Sequence, residues 1–446
     1  MKKYLKYLFL FLIFLVALLF NFSICRGDTF ANYGFSYAIS MGEIPYKDFN
    51  MVITPFSSFL YSIGLLINKS ILVYYIEQAI LLVVLACFLE KLLGKKIYLF
   101  YLFLCLIWPV SLASVIFPGY NFICFLLLII IIYLENNKGN DYLIGILLGL
   151  IFCSKQTIGV CLFLPSFYFI IRKEYRSLFK RMGGFLIPCC ILLIYLLITD
   201  SLYQFIDLCF LGLFNFGNTN SSYSWFYLLL FILGISYVIY RVFKNKNNII
   251  NYYFLMYFIV SLPIIDYYHV SLFLAGVLFL FIYNLKIDNK YYKVIVPLEG
   301  FLYLLGGAVT ILYLGKPVVT MYNNFPLYLV NKKYDQNVKK LDGYLDTISY
   351  DKVFLLRGSE NYMFKIMNNM KITYYDLPNH GNYGYNGEEK IIKEISNMYN
   401  KLFIVDSELC KDEEKFQQYI CEFKEEAIAN SKLIKTIGNY QVYYRK

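Results

Sequence analysis

Eight ionisable residues stand inside or at the edges of long hydrophobic runs: Asp28, Glu43, Asp48, Lys155, Asp200, Asp207, Asp266 and His269. Insertion of Asp, Lys or Arg at membrane depth costs about 2.5 to 3.5 kcal/mol on insertion scales, so each such residue is a candidate for chemistry. Asp28 closes the first hydrophobic run in CRGDTFANYGFSYAIS. A carboxylate with an ordinary pKa near about 3.9 is ionised there and can accept a proton or bind a cation; Asp is equally favoured as the N-cap of a following helix. Lys155 interrupts GILLGLIFCSKQTIGVCLFLP with almost no polar loop around it. Its compact ammonium suits a phosphate or pyrophosphate, and the alternative is snorkelling to lipid headgroups. Asp266 and His269 stand three apart in SLPIIDYYHVSLFLAG, so a helix presents them on one face to orient a proton carrier or grip a substrate, or to form a structural hydrogen bond. Glu43 and Asp48, in MGEIPYKDF, are supporting or substrate-binding candidates. No metal-ligand spacing occurs among the eleven cysteines, so no metal ligand is assigned and a divalent cation stays open.

The elements that must position these residues are hydrophobic. Of 446 residues, 59% are hydrophobic, 20% aromatic and only 16% charged, with a mean hydropathy of +0.56, which excludes a soluble globular enzyme. The runs predict about eleven membrane-spanning helices, near 4–22, 70–90, 97–116, 119–134, 141–153, 157–171, 183–199, 225–243, 249–264, 267–285 and 293–315. With a cytoplasmic N-terminus, one side collects Lys2, Lys3, Lys6, Lys91, Lys95, Lys96, Lys138, Arg172, Lys173, Arg176, Lys180, Arg181, Arg241, Lys244, Lys246, Lys286, Lys290 and Lys293. The other keeps Arg26, Lys47, Lys69 and Lys155, and this asymmetry orients the chain in the plasma membrane. The apolar segment 54–67 is too short to span and belongs to one external excursion, residues 23–69. In that excursion, the apolar positions Phe30, Tyr33, Tyr37, Ile39 and Met41 predict an amphipathic helix along the surface. All candidate residues then fall at the external ends of helices.

The division of the chain follows. Residues 1–315 are read as an all-α polytopic membrane domain, and 316–446 as a small extracytoplasmic α/β domain. Its expected strands are 352–358, 371–377, 401–406 and 440–446, alternating with helices in EEKIIKEISNMYN and CKDEEKFQQYICEFKEEA. The turn-rich loop PNHGNYGYNG, 378–387, either binds a ligand or simply turns the chain. The net charge of +11 resides mostly in the basic loops of the membrane half and reports topology, not nucleic acid. Cys410 and Cys421 lie in the polar tail and can pair if it is extracytoplasmic. The first run lacks a small-x-small cleavage site and reads as a retained helix.

In arrangement the chain resembles the polytopic glycosyltransferases of the C superfold, including the protein O-mannosyltransferases and the bacterial aminoarabinose transferases. The likeness rests on GDTFANYGFSYAISMGEIPYKDF after the first helix, the juxtamembrane TPFSSFLYSIG, the lysine-containing turn GILLGLIFCSKQTIG and the external C-terminal domain. It covers roughly 1–315 and implies a polyprenyl-phosphate-linked sugar donor and an envelope glycan, lipid or protein acceptor outside the membrane. It implies that Asp28 is the catalytic carboxylate of the first external loop and that Lys155 binds the donor phosphate. Thr29 stands where many members have a second acid, and Thr54 where aminoarabinose transferases have a lysine. A flippase or transporter for lipid-linked sugars is the reading from another class, without an inverted repeat to support it. A polysaccharide polymerase or ligase keeps the chemistry and changes the acceptor.

Overall fold

The computed structural model describes residues 2–21, 26–107, 119–212, 225–260, 267–286, 298, 305, 315, 317–356, 360–374, 376–377, 382–385, 387–408, 410 and 418–446. Asp266 and nearly all of the expected helix 293–315 lie outside them, as do the side chains of Asp28 and His269.

The first hydrophobic run is the helix Lys2–Asn21, followed by Arg26–Ser40 and the short Phe56–Ile67. The next helices are Ile71–Leu93, Ile97–Ile107, Tyr120–Asn136 and Asp141–Ser154, then Gln156–Phe163 and Tyr175–Ile198. Leu202–Ile206, Trp225–Lys244, Ile249–Ile259 and Tyr267–Asn284 complete the helices of the hydrophobic part. Most agree with the hydrophobic runs, but the number of spans does not. Among the described residues two helices are long and apolar enough to cross a membrane, Ile71–Leu102 (through a 3₁₀ turn) and Tyr175–Ile198; Phe56–Ile67, Tyr120–Asn136, Asp141–Ser154 and Ile249–Ile259 are apolar but shorter, within 10–17 residues. Eleven spans are therefore not supported. One physical reason is local: caps and a proline keep these apolar helices short. Asn140 caps Tyr142 N–H at the start of Asp141–Ser154, Lys155 is extended at its end, and Pro165 turns the chain into a 3₁₀ segment inside the expected 157–171 helix.

Asp141–Ser154 and Tyr175–Ile198 pack backbone to backbone. A Cβ on Gly145 would stand 2.2 Å from the Arg181 carbonyl oxygen, and one on Gly184 2.2 Å from that of Tyr142. Glycine is required at both, as in small-residue helix crossings. Arg181, 2% exposed, closes this crossing by bonding Glu135 (2.6 Å), Asp141 (2.9 Å) and the Tyr253 hydroxyl (2.9 Å). Contacts at the same end continue through Tyr283 to Asn136 (3.1 Å), Lys96 to the Tyr283 carbonyl (2.8 Å) and Lys6 to Glu90 (2.7 Å). Lys47, Lys69 and Lys155 lie at the opposite helix ends, with the C-terminal domain.

The C-terminal part begins with a two-stranded antiparallel ribbon, β1 (Pro317–Tyr322) and β2 (Phe325–Asn331), and the helix Lys332–Leu345. A four-stranded sheet follows in the order β3-β4-β6-β5, from β3 (Asp351–Leu355), β4 (Lys401–Asp406), β5 (Lys432–Ile437) and β6 (Tyr440–Arg445). β3 and β4 are parallel, joined across the helices Glu360–Met367 and Gly387–Ser396; the helix Gln418–Ile428 precedes β5. The expected strands at 401–406 and 440–446 are present, the one at 352–358 is present as Asp351–Leu355 with 357–358 outside the described residues, and 371–377 forms no strand among its described residues. There Asp376 accepts from the Thr373 N–H (2.5 Å) and hydroxyl (2.9 Å) and from Lys365 (2.7 Å), so the segment bends around a carboxylate instead of extending. Cys410 and Cys421 form a disulfide.

Candidate functional site at the seam between the first loop and the C-terminal domain

Loop 41–55 holds the site. Its shape is set by Tyr46, whose φ of +70° reverses the chain, and whose hydroxyl donates to the Ile53 carbonyl (2.7 Å). Each arm of the loop is tied to another element. Lys47 donates to the Thr199 carbonyl (3.2 Å), Thr54 to the Phe152 carbonyl (2.7 Å), and Asn50 to the Asn382 carbonyl (2.8 Å) of the C-terminal domain. The buried Gln156 bridges the Val52 carbonyl (3.2 Å) and the Cys209 carbonyl (2.7 Å). Tyr374 donates its hydroxyl to the Tyr46 carbonyl.

Glu43 is the residue most altered by this enclosure. It is 5% exposed, and neither carboxylate oxygen makes a hydrogen bond of normal geometry. Burial pushes its pKa up to about 7; the Ile372 backbone N–H, Lys371 and Lys365 pull it back, and Asp48 adds to the rise. Tyr37 faces it from the helix Arg26–Ser40, and Tyr362 from Glu360–Met367. Behind Tyr362 lies a fully buried ion pair, Lys365 to Asp376 at 2.7 Å. Tyr362 in turn packs edge-on against Phe35 and so close to Gly34 that a Cβ there would stand 2.2 Å from its ring. The helix Arg26–Ser40 expected along the surface is instead buried on two sides by the C-terminal domain, Phe30 and Tyr33 against Phe325 and, on the other side, Phe35 against Tyr362.

The other expected residues distribute as follows. Asp28 lies within the helix Arg26–Ser40, not at a cap position ahead of it. Asp48 accepts from the Ile44 N–H (2.7 Å) and stays on the loop. Lys155 separates Asp141–Ser154 from Gln156–Phe163; it donates to Asn121 Oδ1 (3.2 Å) and stands 5.1 Å from the Tyr120 ring centre. Asp207, in a π-helical turn Asp207–Leu211, accepts from the Tyr385 N–H (3.1 Å), so loop 378–387 docks its described residues on the helical part. His269 belongs by backbone to the helix Tyr267–Asn284, and Asp266 lies outside the described residues. The structure thus gathers Glu43, Asp48, Asp207 and the 155–156 break around one loop.

Gln156, Asn50 and the Lys365–Asp376 pair were not legible as site residues. A lysine inside YMFKIM was the one sequence signal for the pair, since an ammonium in an apolar helix face requires a partner. Among the described residues no cluster of three or more His, Cys, Asp or Glu side chains could hold a metal ion. No family model, no curated protein and no solved structure matches the chain.

Proposed function

We propose that the chain is a multi-pass membrane glycosyltransferase, moving a sugar from a polyprenyl-phosphate-linked donor to an envelope acceptor on the side of the membrane that carries the C-terminal domain. The observation that carries this reading is the convergence of loop 41–55, the Lys155–Gln156 break, Asp207 and the C-terminal domain at one end of the helices. The membrane placement is supported by the apolar side chains exposed along Lys2–Asn21 and Tyr175–Ile198, such as Leu5, Phe9, Val16, Ile187, Ile191 and Ile194.

In the proposed reaction the acceptor hydroxyl oxygen attacks the anomeric carbon as Asp28 takes the hydroxyl proton. The bond from that carbon to the phosphate oxygen breaks, and polyprenyl phosphate leaves with the electron pair beside Lys155. Proton abstraction supplies about 10² to 10⁴ in rate, so positioning and stabilisation of the leaving phosphate supply the rest. Glu43, Asp48, Asp266 and His269 are supporting residues in this reading.

The test is incubation of purified protein in nanodiscs with a panel of polyprenyl-phosphate and polyprenyl-diphosphate sugars, following acceptor-dependent donor consumption. Turnover that disappears in Asp28→Asn while donor binding persists is expected. No turnover with any donor, together with movement of sugar-lipid across vesicles, would sink the transferase in favour of a transporter.

A further inference from the structure

We infer that the β1–β2 ribbon is an interfacial anchor whose outer face lies in the lipid surface. The inference rests on the membrane placement proposed above. The two faces of the ribbon differ sharply. Thr320, Phe325, Tyr328 and Val330 are buried, with Phe325 and Tyr328 set edge-on against Phe30 of the first-loop helix. On the other face Val319 is 66% exposed, Met321 70% and Leu327 47%. Strand alternation alone would place Val319 and Met321 together. Leu327 joins them through an irregularity: the register shifts between Thr320 and Tyr322, and Leu327 adopts φ +58°. A branched side chain in the left-handed region is strained, and the strain here serves to keep a large apolar group exposed.

The depth of the ribbon is fixed by its turn. Asn324 accepts from the N–H of Ile71 (2.9 Å), the first residue of one of the two membrane-capable helices, and Asn323 donates to the Met367 carbonyl (2.8 Å). The ribbon therefore sits at the level where that helix emerges. β2 also lies against Lys2–Asn21, whose own outward side chains are apolar. The exposed ribbon face continues that apolar surface, and lipid is the occupant that covers both.

The experiment uses the full chain with Trp108 and Trp225 replaced by Phe and one tryptophan introduced at a time, in nanodiscs of brominated phospholipid. Met321→Trp and, on the same face, Val319→Trp should lose at least about half of their emission to the bromines. Leu193→Trp, at an exposed position of Tyr175–Ile198, reports the membrane placement itself, and Tyr399→Trp, an exposed position on the C-terminal domain, should be unquenched. Quenching at 193 with none at 319 and 321 overturns the anchor and leaves the membrane reading intact. No quenching at 193 overturns both. A ribbon that instead becomes shielded only at high protein concentration, without quenching, is a contact between copies and also overturns the anchor.

Discussion

A carboxyl whose burial outweighs the groups that favour its charge holds its proton at a pH where the unfolded chain has released it. Glu43, at about 7 against an ordinary 4.5, is such a group. Its contribution to stability is complete below about pH 4.5 and is lost as the pH rises through 7, since the folded state then binds the extra proton no longer. The full loss is about 3 kcal/mol, at about 1.36 kcal/mol per unit. Glu43→Gln carries a neutral amide at every pH. It is expected to match the wild type in melting temperature near pH 5 and to melt several degrees higher at pH 8, by scanning fluorimetry of the detergent-solubilised protein; parallel pH profiles would disprove the proton on Glu43. Lys155 makes a different prediction. If its ammonium receives the leaving phosphate, Lys155→Gln lowers kcat/KM for the lipid-linked donor by about tenfold or more, a charged hydrogen bond being worth about 1.5 to 3 kcal/mol. An unchanged kcat/KM would return Lys155 to its contact with Asn121 and the Tyr120 ring.

At the scale of elements, the crossing of Asp141–Ser154 with Tyr175–Ile198 has the least tolerance. Gly145 meets a backbone carbonyl that cannot move aside, whereas Gly183, one residue from Gly184, has its nearest neighbour, the Tyr142 ring, at 3.5 Å. Gly145→Leu should therefore cost about 1–3 kcal/mol or more and lower the yield of folded protein, while Gly183→Leu is tolerated. Equal effects of the two would show that the helices do not meet there. The helices themselves were readable because their apolar composition is local. The short segment 54–67 and the first hydrophobic run came out as helices, Phe56–Ile67 and Lys2–Asn21. The breaks near 140 and 155 were anticipated as well, between 119–134, 141–153 and 157–171, but the 3₁₀ segment at Pro165 was not, since a hydropathy average passes smoothly over it while the backbone does not. In the tail, β4 coincides with KLFIVD, but KITYYDL bends because Asp376 finds Lys365, a partner eleven residues away on a helix.

For the whole molecule, the disulfide between Cys410 and Cys421 and the sidedness of the lysines make one statement about compartment. If the C-terminal domain is extracytoplasmic, protein prepared under thiol-blocking conditions keeps this pair unlabelled until it is reduced, as mass spectrometry of the alkylated peptides would show. Full labelling without reduction would place the domain in a reducing compartment and reverse the proposed orientation. Removal of the bridge by Cys410→Ser should destabilise the domain by about 3 kcal/mol, the value for closing a loop of comparable length.

Composition and the spacing of basic residues were sufficient, by themselves, to predict a helical chain with two chemically distinct ends and a polar α/β tail, because hydropathy and charge act locally. They also nominated Glu43 and Asp48 as neighbours in sequence. Only the tertiary structure decided that Glu43 is buried under Tyr362 and Ile372, and that Asn50 meets Asn382 at a separation of 332 residues. Only it broke the expected 157–171 helix at Pro165. A carboxylate's environment is made by whatever packs over it, and here that cover comes from the far end of the chain.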